Sequence, residues 1–180
     1  AACDATLFDD VDASNPFCPE ITWAANRGLV DGFADGGFHP VEVVTREVVA
    51  ALLYRLSGAS ASTCDASLFD DVDASNAFCA EITWAAGRGI VNGYADGTFR
   101  PAEGVTRQAM AVFLYRLAGA TSGCDGTRFD DVSDTHPFCA EITWVASQGI
   151  ASGYADGGFH PAADLTRQAA ASILYNYDQR

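Results

Sequence analysis

Apolar positions recur at helical spacing in two segments near the start of the chain, separated by a glycine-rich stretch. Ile21, Ala24 and Ala25 fall on one face of a predicted helix from Pro19 to Arg27, and Gly28 follows as its stop. A loop dense in glycine comes next, Gly32-Phe33-Ala34-Asp35-Gly36-Gly37-Phe38-His39-Pro40, whose Asp-Gly step carries turn chemistry. Val49, Leu52, Leu53 and Leu56 then recur at spacings of 3, 4 and 7 residues, which predicts a second helix with an apolar stripe. Thr45 stands just before it as a candidate N-cap, because its hydroxyl can accept from an otherwise unpaired helix N–H.

The same order is written three times. Phe8-Asp9-Asp10-Val11 recurs at Phe69 to Val72 and Phe129 to Val132, and Glu20-Ile21-Thr22-Trp23 at Glu81 to Trp84 and Glu141 to Trp144. Thr45-Arg46 recurs as Thr106-Arg107 and Thr166-Arg167. The second apolar stripe returns as Met110, Phe113, Leu114 and Leu117, and more weakly as Ala170, Ile173, Leu174 and Tyr177. The copies are expected at 1–60, 61–120 and 121–180, joined by short links at 57–63 and 118–123. One such helix-loop-helix unit has little core of its own, and a repeat of this period buries its apolar face against its neighbours. The expected fold is mainly all-α, with three units about a pseudo-threefold axis rather than a linear solenoid.

Charge removes several classes of partner. Ten arginines and no lysine stand against 24 acids, a net charge of -14. That balance argues against nucleic acid and against docking on anionic lipid, leaving only local arginines to meet an anion. No apolar run reaches the length of a membrane span, so no membrane insertion is expected. No leader opens the chain at Ala1, so it reads as a mature protein or an excised piece of one.

Six cysteines fall in pairs fifteen residues apart: Cys3 and Cys18, Cys64 and Cys79, Cys124 and Cys139. Six allow fifteen connectivities. One bridge per copy is the simplest arrangement that repeats with the unit, and it places the chain in an oxidising compartment. The rival is a metal site, but no close pair exists and the three histidines do not repeat with the cysteines.

The ordered motif is similar to that of the S-layer homology domain family. Copy two shows it best, with Phe69-Asp70-Asp71-Val72, then Gly89-Ile90-Val91-Asn92-Gly93-Tyr94-Ala95-Asp96-Gly97-Thr98-Phe99-Arg100-Pro101, then Val105-Thr106-Arg107. The resemblance covers nearly the whole chain. It implies three domains in a pseudo-trimeric spindle around a central helix bundle that hold an exported protein on the bacterial cell surface. It also implies binding of a secondary cell-wall polysaccharide, often bearing pyruvate ketals, in grooves between copies. The arginine of the family's Thr-Arg-Ala-Glu motif matches Arg46, Arg107 and Arg167. Two departures stand out. The family's glutamate is Val48, Ala109 and Ala169 here, which removes the usual capping box, and the cysteine pairs lie outside the general pattern.

Each candidate site has a plain alternative. An arginine in the first turn of a helix opposes the macrodipole, so its threefold use there calls for a reason. Either it joins helix-start N–H groups to hold a carboxylate, or it forms an ion pair with Asp10, Asp35 and their equivalents. Trp23, Trp84 and Trp144 could stack on sugar or pack between copies. Gly32, Gly93 and Gly153, with Gly36, Gly97 and Gly157, supply positive φ or let sugar approach the backbone. Asp10-x-Asp12-x-Ser14 opens like a calcium loop, but Asn15 and Ile21 stand where glycine and a bidentate glutamate are needed, so a solvated acidic loop is preferred and no metal is expected.

No catalytic residues and no cofactor are expected. His39 and His160 align with Arg100, His136 stands alone, and no nucleophile comes with a repeating base. The leading expectation is a non-catalytic anchoring module for anionic cell-wall polysaccharide, part of a larger exported protein. The alternatives are a protein-interaction module of a surface protein and an enzyme of unrecognised type. Copy three has Asn176 where Arg55 and Arg116 stand, so its groove is expected to be the weaker or the differently selective one.

Overall fold

The computed structural model describes residues 1–60, 62–124 and 128–180. Ala61, at which the second copy is expected to open, lies outside the described residues. Six helices follow in order: α1 Cys18–Asn26, α2 Arg46–Leu56, α3 Cys79–Gly87, α4 Arg107–Leu117, α5 Cys139–Ser147 and α6 Arg167–Asp178. Each copy supplies two. Among the described residues, β pairing is limited to three isolated bridges.

The first helix of each copy starts at the bridged cysteine, one residue earlier than expected in copy one. Asn15 prepares that start, its side-chain oxygen accepting from Phe17 N and its carbonyl from Cys18 N. Gly28 ends α1 at φ 65°, a left-handed conformation that a Cβ would strain. The second helices use their threonine caps unequally. Thr106 and Thr166 accept from Ala109 N and Ala169 N, whereas the Thr45 hydroxyl is buried without a partner.

The next copy finishes this capping instead. Arg46 N and Glu47 N donate to Glu103 O and Pro101 O, both at 3.0 Å. Arg107 N and Gln108 N donate to Ala163 O and Pro161 O, and Arg167 N and Gln168 N donate to Glu42 O and Pro40 O. The polar residues one position before the family's capping glutamate also reach across copies. Asn76 Nδ2 donates to Glu47 Oε2, and Asn15 Nδ2 to Gln168 Oε1.

Helix pairing follows the same cyclic rule. α2 packs on α3, α4 on α5, and α6 closes back on α1. At each seam a tryptophan meets a tyrosine edge-on: Trp84 with Tyr54, Trp144 with Tyr115, Trp23 with Tyr175. Beside the second helices, three backbone bonds form a closed ring. Val44 N donates to Leu165 O, Leu165 N to Val105 O, and Val105 N to Val44 O, at 2.8–2.9 Å. The architecture is therefore all-α with pseudo-threefold closure, not an open solenoid. One core cluster runs through all three copies and holds Leu53, Met110, Leu114 and Leu174 from the second helices with Ile21, Ile82 and Ile142 from the first.

Each glycine-rich loop is pinned from inside. Phe38, Phe99 and Phe159 are fully buried, each contributing about 1.5–3 kcal/mol of hydrophobic stabilisation. Asp10 carboxylate oxygens accept from Phe38 N and His39 N at 2.7 and 2.8 Å, and Asp71 and Asp131 repeat this. Asp12 instead accepts from the Ser14 amide and hydroxyl, so the two carboxylates of the calcium-like string serve separate turns. Three disulfides, Cys3–Cys18, Cys64–Cys79 and Cys124–Cys139, staple each copy's opening segment to its first helix.

Candidate binding grooves between the copies

Each Thr-Arg arginine leaves its own copy and enters the loop of the next. Arg46 Nε donates to Phe99 O at 2.8 Å and its Nη2 to Asn92 O at 2.9 Å. Arg107 repeats both bonds, to Phe159 O at 2.8 Å and Ser152 O at 2.9 Å. Arg167 closes the ring onto copy one through Nε to Phe38 O at 2.8 Å. Each guanidinium also lies over two aromatic rings of that loop. The rings are Tyr94 and Phe99 for Arg46, Tyr154 and Phe159 for Arg107, and Phe33 and Phe38 for Arg167, at 4.5–5.0 Å.

Among the described residues, no carboxylate lies within 4.0 Å of these three arginines. The ion-pair reading is therefore corrected: Asp10 is taken by loop amides, and Asp35 by Gly37 N and His39. Burial lowers all three arginine pKa values below the ordinary one, yet a guanidinium stays charged under any physiological condition. Carbonyl dipoles and ring faces thus hold each positive charge directly, and the nearest carboxylates, Glu103 and Asp71 for Arg46, Asp131 for Arg107, and Glu42 and Asp10 for Arg167, act on it only from beyond ion-pair distance. The idea that helix-start amides complete an anion site is also corrected, since the next copy's carbonyls occupy the amides of the first two helical residues.

A groove opens beside each arginine, and three copies build it. The cavity at Arg167, about 300 Å³, is walled by Val30 to Phe33 and by Val48, Leu52 and Arg55 of copy one, with Phe78 of copy two. The cavity at Arg107, about 190 Å³, is walled by Ile150 to Tyr154, Ser172 and Asn176 of copy three, with Phe17 of copy one. The cavity at Arg46, about 270 Å³, lies instead toward Glu103, Gly104, Thr106 and Gln108. There Phe113 occupies the position held by Leu52 and Ile173 in the other grooves.

The outer face of each groove aromatic carries a second cationic position. Arg100 stacks on Tyr94 at 3.8 Å and pairs with Asp96 and Glu103. His39 stacks on Phe33 at 4.3 Å, with Nε2 at 2.8 Å from Asp35 and Nδ1 at 2.9 Å from Glu42. These bonds to Glu42 and Asp35 raise the His39 pKa. Hydrogen bonds from Thr98, then from Arg100, bring Asp96 down to about 2. His160 sits edge-on to Tyr154 and, among the described residues, pairs only with Asp156, because Ala163 replaces the second carboxylate.

The other expected site residues lie elsewhere or act differently. Trp84 and Trp144 are buried in the inter-copy seams, Trp23 packs in the third, and none of them walls these cavities. Gly32, Gly93 and Gly153 do not need positive φ; each is glycine because a phenylalanine ring of its own copy, Phe8, Phe69 or Phe129, lies where a Cβ would go. Gly32 does line the Arg167 groove. Sequence reasoning missed Phe33, Tyr94 and Tyr154 as groove walls; their place one residue after those glycines is the signal that marks them.

The sequence model of the S-layer homology domain matches residues 7–47, 68–111 and 128–171. Cell surface glycoprotein 1 of Acetivibrio thermocellus is 34% identical over 93 residues, covering 50% of this chain and 4% of that protein. The cellulosome-anchoring protein of the same organism is 33% identical over 92 residues, 49% of this chain and 21% of its own length. An amylopullulanase of Thermoanaerobacterium thermosulfurigenes is 28% identical over 158 residues, 84% of this chain but 8% of the enzyme.

Proposed function

Because the chain belongs to the S-layer homology domain family, we propose that it is a non-catalytic module anchoring a larger exported protein at the bacterial cell surface by binding an anionic cell-wall polysaccharide, such as a pyruvylated one. The observation that carries this reading is the guanidinium held three times over on carbonyls and aromatic faces beside a groove, with no carboxylate within 4.0 Å among the described residues. A largely desolvated charge without a direct ion pair is costly, and an incoming carboxylate supplies one. The printed names of the relatives, a cell surface glycoprotein and a cellulosome-anchoring protein, support the location and the role. The amylopullulanase match covers too little of that enzyme to carry its activity here. The working unit is the closed set of copies, 1–60, 61–120 and 121–180, since every groove draws on all three. Several grooves on one module would add avidity through effective concentration.

The test is sedimentation with purified cell walls and binding to protein-free wall polysaccharide. A variant combining Arg46→Gln, Arg107→Gln and Arg167→Gln should lose both, and Arg88→Gln should lose neither, with thermal melting recorded to confirm folding. Full wall binding by the folded triple variant would overturn the site. Binding to walls but not to protein-free polysaccharide would turn the reading to a protein-interaction module.

A further inference from the structure

The grooves at Arg167 and Arg107 share a plan but differ in wall chemistry. Val30, Phe33, Val48 and Ala51 of the first correspond to Ala151, Tyr154, Ala169 and Ser172 of the second. The first wall is therefore richer in hydrocarbon, and Phe33 is left 43% exposed on it. The second wall gains hydroxyls. Tyr94 spends its hydroxyl on Glu103 at 2.8 Å, but the counterpart of Glu103 in copy three is Ala163. Among the described residues, Tyr154 and Ser172 thus make no side-chain hydrogen bond, and Tyr154 is 51% exposed. Asn176 donates Nδ2 to Ile150 O and keeps its carbonyl oxygen, while at the equivalent place Arg55 offers only donors.

We infer that the two open grooves recognise different sugar units: the Arg167 groove takes a carboxylated unit with a methyl-bearing substituent beside the carboxylate, and the Arg107 groove takes a carboxylated unit flanked by free hydroxyls. The inference rests on the polysaccharide-binding reading and refines it. The common arginine recognises the carboxylate, and the walls do the sorting. A methyl group leaving water against Phe33, Val30 and Val48 gains from apolar contact, whereas against Tyr154 and Ser172 it would leave hydroxyls unpaired. A sugar hydroxyl has the opposite preference.

The test uses two commercial probes and nuclear magnetic resonance of the full, isotopically labelled chain. N-acetylmuramic acid carries its carboxylate on a methyl-bearing ether; glucuronic acid carries it among hydroxyls. The Gly32 and Phe33 amides should respond to the first at about three- to tenfold lower concentration than to the second, and Ser152 and Tyr154 should show the reverse. Combining Phe33→Tyr, Ala51→Ser and Arg55→Asn should abolish the preference at the first groove. Tyr154→Phe, Ser172→Ala and Asn176→Arg should abolish it at the second. Each substitution follows a residue already present at that place in another copy. Equal responses to both probes, no response at either groove, or preferences that survive both exchanges overturn the inference. Wall binding without such preferences sinks this inference alone, while absent wall binding sinks the reading beneath it.

Discussion

Arg167 and Asn176 share helix α6 yet line different grooves, Arg167 facing the loop of copy one and Asn176 lying in the groove of Arg107. The missing arginine of copy three therefore bears on Arg107, whereas the sequence pairs it with Arg167. Asn176→Arg should strengthen wall binding by about two- to fivefold, the range of a partly exposed charge interaction. Arg107→Ala should then cost more binding in that background, and the cost of Arg167→Ala should not change. Wall-binding isotherms of the four single and double variants check this.

The same arginines hold the fold together. Arg107→Ala would leave Phe159 O and Ser152 O without their donor, which should lower stability by about 3–6 kcal/mol, given that bonds to charged groups contribute about 1.5–3 kcal/mol each. Arg167→Ala removes one such bond and should cost less. Urea denaturation of both variants gives the comparison.

Each disulfide closes a fifteen-residue separation, and the chain-entropy account assigns about 3 kcal/mol to a loop of that size. Replacing Cys64 and Cys79 together by alanine should lower the urea midpoint accordingly. Adding reductant to the unaltered chain should lower it further.

His39 gives copy one a dependence on pH that copy two lacks. Its pKa is raised by Glu42 and Asp35, so the stabilisation is complete below the ordinary imidazole value, about 6.5, and is lost as pH rises through the raised value. A neutral imidazole has one donor and can satisfy only one of the two carboxylates. The His39 resonance should titrate with a midpoint above about 6.5. His39→Arg, copying Arg100, should remove the accompanying shifts at Phe33.

Two glycines of copy two should respond oppositely to alanine. A Cβ at Gly93 would meet the Phe69 ring and come 2.9 Å from Thr98 O, whereas at Gly87, within α3, it would meet nothing within 4 Å. Gly93→Ala should cost about 1–3 kcal/mol through overpacking. Gly87→Ala should gain about 0.5–1 kcal/mol of helix propensity. Thermal melting distinguishes them.

The elements were legible in the sequence because their causes are local. Ile21 and Ala24 gave α1 its face and Gly28 its end, so Pro19 to Arg27 differs from the observed Cys18–Asn26 only at its edges. The bridges were legible because the cysteines repeat with the unit. The groove was less so. Arg46 meets Phe99 and Arg167 meets Phe38 far away in the chain, and no periodicity encodes which carbonyl a guanidinium will find. Trp84 and Phe33 illustrate the same limit. Both are aromatic residues in a repeating context, and only long-range packing sends one into a seam and leaves the other on a groove wall.

The ring of bonds through Val44, Leu165 and Val105 has a consequence for timing. The disulfides join residues of one copy only, so they can form as each segment emerges into an oxidising space. Closure joins residue 44 to residue 165 and α1 to α6, so it waits for the last copy. A chain clipped after copy two would keep its first two staples but lose the walls of every groove that copy three completes. Adhesion would then be withheld from any unfinished molecule.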